Sequence, residues 1–90
     1  MIERRVIRYT GRVQGVGFRY TARKIASAYQ IAGSVKNLPD GRVEIIAEGE
    51  ADEIDRFLED VYQAMSTVIR TRQANTQPVR GMPPGFSIEF

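Results

Sequence analysis

The order of hydrophobic periods along these 90 residues predicts an α+β fold: an antiparallel sheet carrying two helices on one face. Three observations predict it. Short runs alternate apolar and polar residues, the period of a half-buried strand, at the start, in the middle and at the end of the chain. Between them, two stretches place apolar residues three and four apart, the period of a helix packed on one side. Glycine- and proline-rich turns separate the two kinds of run, as breakers must.

Residues 3–13 read as the first strand, with Ile7, Tyr9 and Val13 on one face and Arg4, Arg8 and Arg12 on the other. From Phe18 the period changes. Phe18, Ala22, Ile25, Ala26 and Tyr29 form one helical stripe, and Gly33 is expected to end it. Ser34–Leu38 is a short second strand. Pro39-Asp40-Gly41 is a turn, because proline presets φ and glycine tolerates positive values. Arg42–Glu48 alternates Val43, Ile45 and Ala47 against Glu44, Ile46 and Glu48, so strands two and three form a hairpin that Gly49 breaks. Asp52, Glu53 and Asp55 favour the positive end of a second helix, whose stripe is Ile54, Phe57, Leu58, Val61 and Met65. The acids from Glu48 to Asp60 are expected to cap and solubilise that helix. Residues 67–73 read as a weakly patterned fourth strand, 74–85 as a loop, and Phe86, Ile88 and Phe90 as a closing strand. The order βαββαβ, with a small tail strand, is that of the ferredoxin-like sandwich.

Composition narrows the chemistry. The chain is expected to be a single domain over residues 1–90. It has no cysteine and no histidine, which removes Cys/His metal sites, thiolate nucleophiles and Ser-His-Asp triads together. Met1–Arg5 is charged and lacks the apolar stretch of a signal peptide, and no apolar run approaches the ~20 residues of a membrane span. A cytoplasmic, monomeric protein with no membrane partner is expected. Net charge is only +2, yet unevenly spread. Residues 1–39 set eight Lys and Arg against Glu3 alone, whereas residues 40–60 hold nine acids against Arg42 and Arg56. The basic half suits an anionic ligand.

That half contains GRVQGVGFR, Gly11 to Arg19, with three glycines in seven residues between strand and helix. Glycine allows positive φ and close approach to the backbone. Successive N–H groups in such a turn can converge on an anion, and the helix N-terminus adds its positive end. Arg19 stands at the first turn of that helix. The composition is that of a phosphate site, with a backbone freed by Gly11, Gly15 and Gly17 offering neutral donors and Arg19 as the fixed cation. Phe18 and Tyr29 read mainly as core anchors, Asp40 as turn chemistry, and Gln14 as acting through its backbone.

The run Gly11–Arg19, then Val35-Lys36-Asn37 with Asp40-Gly41-Arg42-Val43-Glu44, closely resembles the acylphosphatase family in order and spacing. The terminal Phe86-Ser87-Ile88-Glu89-Phe90 resembles the family's last strand. The resemblance implies hydrolysis of the carboxyl–phosphate bond of small acyl phosphates to a carboxylate and inorganic phosphate, with no metal or other cofactor and no covalent intermediate. It implies that Arg19 grips the phosphate, that the loop amides from Gln14 to Phe18 cradle it, and that Asn37 positions the attacking water. A mechanism built on a guanidinium and an amide offers no acid–base group for neutral pH, so the rate is expected to vary little between about pH 5 and 8 after correction for substrate ionisation. Ser34 stands where the family commonly has an aromatic residue, and Leu38 where some members carry a hydroxyl. The stretch Gln73–Gln77 is unusually neutral. These departures bear on rate and stability.

Two other functions fit the same element order. An RNA-binding module would stack bases on aromatics of strands one and three, but strand three has none and strand one offers only the inward Tyr9. An accessory anion-binding domain of a carbamoyl-transfer maturation system would carry downstream zinc-finger cysteines, which this sequence lacks. A free-standing enzyme that binds no nucleic acid is therefore expected.

Overall fold

The computed structural model describes residues 1–90 in the order β1 (Ile2–Gly11), α1 (Phe18–Ala26), β2 (Ile31–Asn37), β3 (Val43–Glu50), α2 (Ala51–Met65), β4 (Ile69–Gln77) and β5 (Phe86–Glu89). The five strands form one sheet in the order β4-β1-β3-β2-β5. The first four pair antiparallel, with Ile7 opposite Ile45 and Val35 opposite Ile45. Strand β5 departs from the expected pattern and runs parallel to β2, with Val35 opposite Ile88. The reason is the long connection after β4, which carries the chain across the sheet instead of turning it back.

The strand period of two sorts side chains between faces. Ile7, Tyr9, Val35, Val43, Ile45 and Ala47 are buried beneath the helices. Ala22 and Ala26 from α1, and Ile54, Phe57 and Val61 from α2, close over them. Phe57 is wholly buried, with its ring 6.4 Å from Tyr29 and 5.4 Å from Phe86, centroid to centroid. Truncating such a residue to alanine typically costs about 3–5 kcal/mol.

Two glycines sit inside β strands, where the sequence pattern suggests ends of elements. Helix α1 stops at Ala26, and β2 begins at Ile31, three residues before the expected Ser34. Gly33 is thus a strand residue. A Cβ there would lie 2.2 Å from the Ile46 carbonyl oxygen and 2.9 Å from the Phe86 ring, so the position is reserved by space and not by helix termination. Gly49 likewise continues β3, opposite both Glu3 and Ile31. Strand β4 runs on to Gln77, through residues expected to be loop. It is an edge strand with most side chains in water, so burial imposes no apolar alternation on it.

Two features aim the chain toward the glycine-rich loop. Gly11, at φ +124°, makes a bulge in β1 against β4, where a Cβ would meet the Val68 carbonyl oxygen at 2.3 Å. The N–H of Arg12 then donates to that same carbonyl, 3.0 Å away, turning the chain off the sheet. On the far side of the loop, Phe18 is buried against Tyr9, ring centroids 5.0 Å apart, and pins the first residue of α1 to β1.

Candidate active site

Residues 12–17 cross from β1 to α1 with Gly15 at φ +77° and Gly17 at φ +79°, a conformation that a Cβ would strain. Gly17 caps α1 in this left-handed state with no side-chain acceptor on the helix N-terminus and no acid in its first turn. The first intrahelical bond is from Thr21 N–H to the Gly17 carbonyl, 2.9 Å. In consequence, the N–H groups of Gln14 through Tyr20 find no acceptor within the chain. Seven successive donors, at the positive end of a helix, are left without a partner in the chain.

Beside them is a cavity of about 200 Å³ lined by Val13, Gly15, Gly17, Phe18, Arg19, Tyr20, Asn37, Ile88 and Phe90. It brings together Arg19 and Asn37, eighteen residues apart in sequence, with three of the expected loop residues. Gln14 and Val16 belong to the loop but not to the cavity wall; Val16 is 41% exposed at the rim. Phe18 is buried, as its anchoring role requires, and meets the cavity from below. No Asp or Glu side chain lines the space, so a dianion entering it meets no like charge from the wall.

Arg19 projects from the first turn of α1 and is held by the end of β5. Its Nη1 donates to the Glu89 carbonyl, 3.2 Å away, and its guanidinium carbon lies 4.9 Å from the centre of the Phe90 ring. A cation over an aromatic face is attracted by the ring quadrupole, by about 0.5–1 kcal/mol when exposed. Only one of the five guanidinium N–H donors is used, so a fork remains for two oxygens of one ligand. Asn37 ends β2, and the period of two gives it the helix-covered face that Val35 occupies. Its side-chain amide makes no hydrogen bond to the protein and is available to a water.

Gln14 does more than contribute its backbone. Its Nε2 donates to the carbonyls of Leu38 (2.8 Å) and Arg42 (3.0 Å), the two residues that close the β2–β3 turn. The same turn is fixed by Leu38 N–H to the Arg42 carbonyl, 2.8 Å, and by Asp40, whose carboxylate accepts from Arg42 N–H and Nε. Those bonds, the N–H first, hold the Asp40 carboxyl below its ordinary range. Asp40 is turn chemistry, as its sequence context indicates. Gln14 therefore ties the donor loop to the segment that carries Asn37.

Four wall residues lie outside the sequence expectation: Val13, Tyr20, Ile88 and Phe90. Val13 and Ile88 are legible only as strand positions. Phe90 reaches the site because β5 pairs with β2 in parallel, which sets it beside Asn37. Tyr20 follows Arg19 on the exposed side of α1, where the helical stripe gives no signal.

Comparison with known proteins points the same way. The family model described as Acylphosphatase matches residues 5–88. An acylphosphatase of Clostridium acetobutylicum is 49% identical over 61 residues, 68% of this chain and 67% of that relative. The crystal structure of acylphosphatase from Bacillus subtilis superposes with a TM-score of 0.86 at 37% identity, covering 100% of both chains. A crystal structure of full-length HypF, in a phosphate- and nucleotide-bound form, matches with a TM-score of 0.85 at 31% identity. That likeness covers 100% of this chain and 12% of HypF.

Proposed function

The chain belongs to the acylphosphatase family, and on that premise we propose that it hydrolyses small acyl phosphates with Arg19, the loop amides and Asn37 as its working parts. The observation that carries this reading is the run of N–H groups from Gln14 to Tyr20 that have no acceptor in the chain, set beside an arginine with four free donors.

The substrate phosphoryl group sits on the amides of residues 14–18, with two of its oxygens on the Arg19 fork. Phosphoryl transfer runs through a loose transition state with charge spread over three equatorial oxygens, which fixed donors stabilise without reorganisation. Asn37 holds a water in line with the phosphorus. The water oxygen bonds to phosphorus as the bond to the acyl oxygen breaks, and the electron pair leaves on the carboxylate. The water's proton passes to a phosphoryl oxygen, since no side chain of the wall is a base. The carboxylate is a good leaving group, so no general acid is required. Inorganic phosphate is the second product. All the groups named come from one chain, and a monomer suffices.

The test is turnover of benzoyl and acetyl phosphate by the parent, Arg19→Ala and Asn37→Ala. Loss of one preorganised donor typically costs about 10²–10³ in rate, or roughly 3–4 kcal/mol. Each variant is expected to lose at least that much while remaining folded. Equal turnover by the parent and Arg19→Ala would remove this site. The likeness to HypF supports a second reading, an accessory domain of a larger assembly with the same anion site. Negligible turnover of either free acyl phosphate by the intact parent, with phosphate still bound, selects that reading.

A further inference from the structure

We propose that Glu48, on the opposite face of the sheet from the helices, is a positioning residue for Arg19. It acts by fixing the segment that delivers β5 to the site. Sequence context groups Glu48 with the solubilising acids of α2; the structure corrects this. Glu48 lies in the central strand β3, only 6% exposed. One carboxylate oxygen accepts from Arg4 Nη1 (2.9 Å) and Arg80 N–H (2.8 Å), and the other from Gly81 N–H (3.0 Å) and Met82 N–H (3.1 Å). Four donors on one buried carboxylate form a built anchor.

The topology explains why an anchor is needed there. Segment 78–85 must travel from β4 at one edge of the sheet to β5 at the other. Four interstrand steps make about 19 Å. The nine links from Gln77 to Phe86 can span at most about 30 Å. The direct path takes about two-thirds of that reach, so length alone does not fix the route, and the place where the segment is held sets where it lands. It lands with Gly33 N–H donating to the Gly85 carbonyl, 3.0 Å, and Phe86 opposite Gly33. Three residues later, the Glu89 carbonyl accepts from Arg19. A continuous set of bonds thus connects the Glu48 carboxylate to the guanidinium through the segment 80–89. This inference rests on the reading of Arg19 as the phosphate ligand.

The test is a double-mutant cycle on the competitive inhibition constant of inorganic phosphate, with benzoyl phosphate as substrate, for the parent, Glu48→Gln, Arg19→Lys and the double variant. The amide that Glu48→Gln introduces keeps one acceptor oxygen and sets an NH2 group against the other pair of donors, so the segment loses half of its anchor. Glu48→Gln is expected to weaken phosphate on the order of tenfold, with the double variant no weaker than Arg19→Lys alone. Hydrogen exchange at Gly33 N–H should accelerate while that of buried Ile45 does not. An unchanged inhibition constant in Glu48→Gln, or fully additive effects in the double variant, overturns the proposal. An Arg19→Lys variant that binds phosphate as the parent does overturns instead the reading of the site. Should Glu48→Gln not fold, Glu48→Asp, one methylene short of the segment's N–H groups, carries the same comparison with the same two outcomes.

Discussion

Replacing Gln14 with alanine removes the two hydrogen bonds that join the donor loop to the β2–β3 turn. The structure sets the size of the stability effect. Net contributions of neutral hydrogen bonds run about 0.5–1.5 kcal/mol each, so two give about 1–3 kcal/mol. The orphaned carbonyls limit the loss, because Leu38 still accepts from Gly41 N–H (3.1 Å) and Arg42 from Leu38 N–H (2.8 Å). With no buried acceptor left bare, the lower end applies, about 1 kcal/mol. For a domain of this size that is a fall in Tm of about 4–8 °C. Activity should suffer more. Asn37 precedes Leu38 directly, and misplacement of a reacting group by about 1 Å can cost 10²-fold. Urea denaturation and kcat/KM for benzoyl phosphate, measured on the parent, Gln14→Ala and Gln14→Glu, separate the two effects. The glutamate is isosteric, cannot donate, and sets a negative charge near the donor loop, so phosphate inhibition should weaken further and recover partly with salt. Full kcat/KM in a destabilised Gln14→Ala would refute the idea that this side chain aligns Asn37 with the loop.

Other consequences are as open to measurement. The Tyr9 hydroxyl is buried without a hydrogen-bond partner, and burial raises its pKa above the ordinary tyrosine value. An unsatisfied buried polar group costs about 1–3 kcal/mol, so Tyr9→Phe should raise the urea midpoint and leave kcat unchanged; a less stable variant contradicts the assignment. Burial alone would raise the Glu48 carboxyl, but the N–H of Arg80, the Arg4 guanidinium and the N–H groups of Met82 and Gly81 overcome this and hold it at about 2, against an ordinary 4.5. A folded-state pKa below the unfolded one gives stability that is full above about 4.5 and lost as pH falls toward about 2. Acid denaturation curves should show this limb in the parent and a flatter one in Glu48→Gln.

The helices and β3 are legible because each buries one face, which forces a period onto residues such as Ile54, Phe57 and Val61 or Val43, Ile45 and Ala47. The loop is legible for a different reason: Gly15 and Gly17 do need positive φ. Gly33 and Gly49 look identical in the sequence but answer to neighbours from distant strands, the Ile46 carbonyl and Phe86 in one case and Gln30 and Ile31 in the other. No local pattern carries that. The same holds for the tie made by Gln14, whose acceptors are two backbone carbonyls more than twenty residues away. Residues 74–77 extend an edge strand whose pairing with β1 is made by main-chain groups, to which side-chain polarity is indifferent. Arg19 and Asn37 stand out in the sequence by their motifs; their company with Phe90 depends on a parallel pairing that alternation in Phe86, Ile88 and Phe90 does not specify.

The contact between Arg19 and the Glu89 carbonyl joins residues 70 positions apart. Closing so long a loop is entropically late, because nearer contacts are rewarded first. During refolding, then, helices and the central hairpin can be in place while the molecule is still inert. Catalytic competence should return with the slowest phase, lagging fluorescence or circular dichroism.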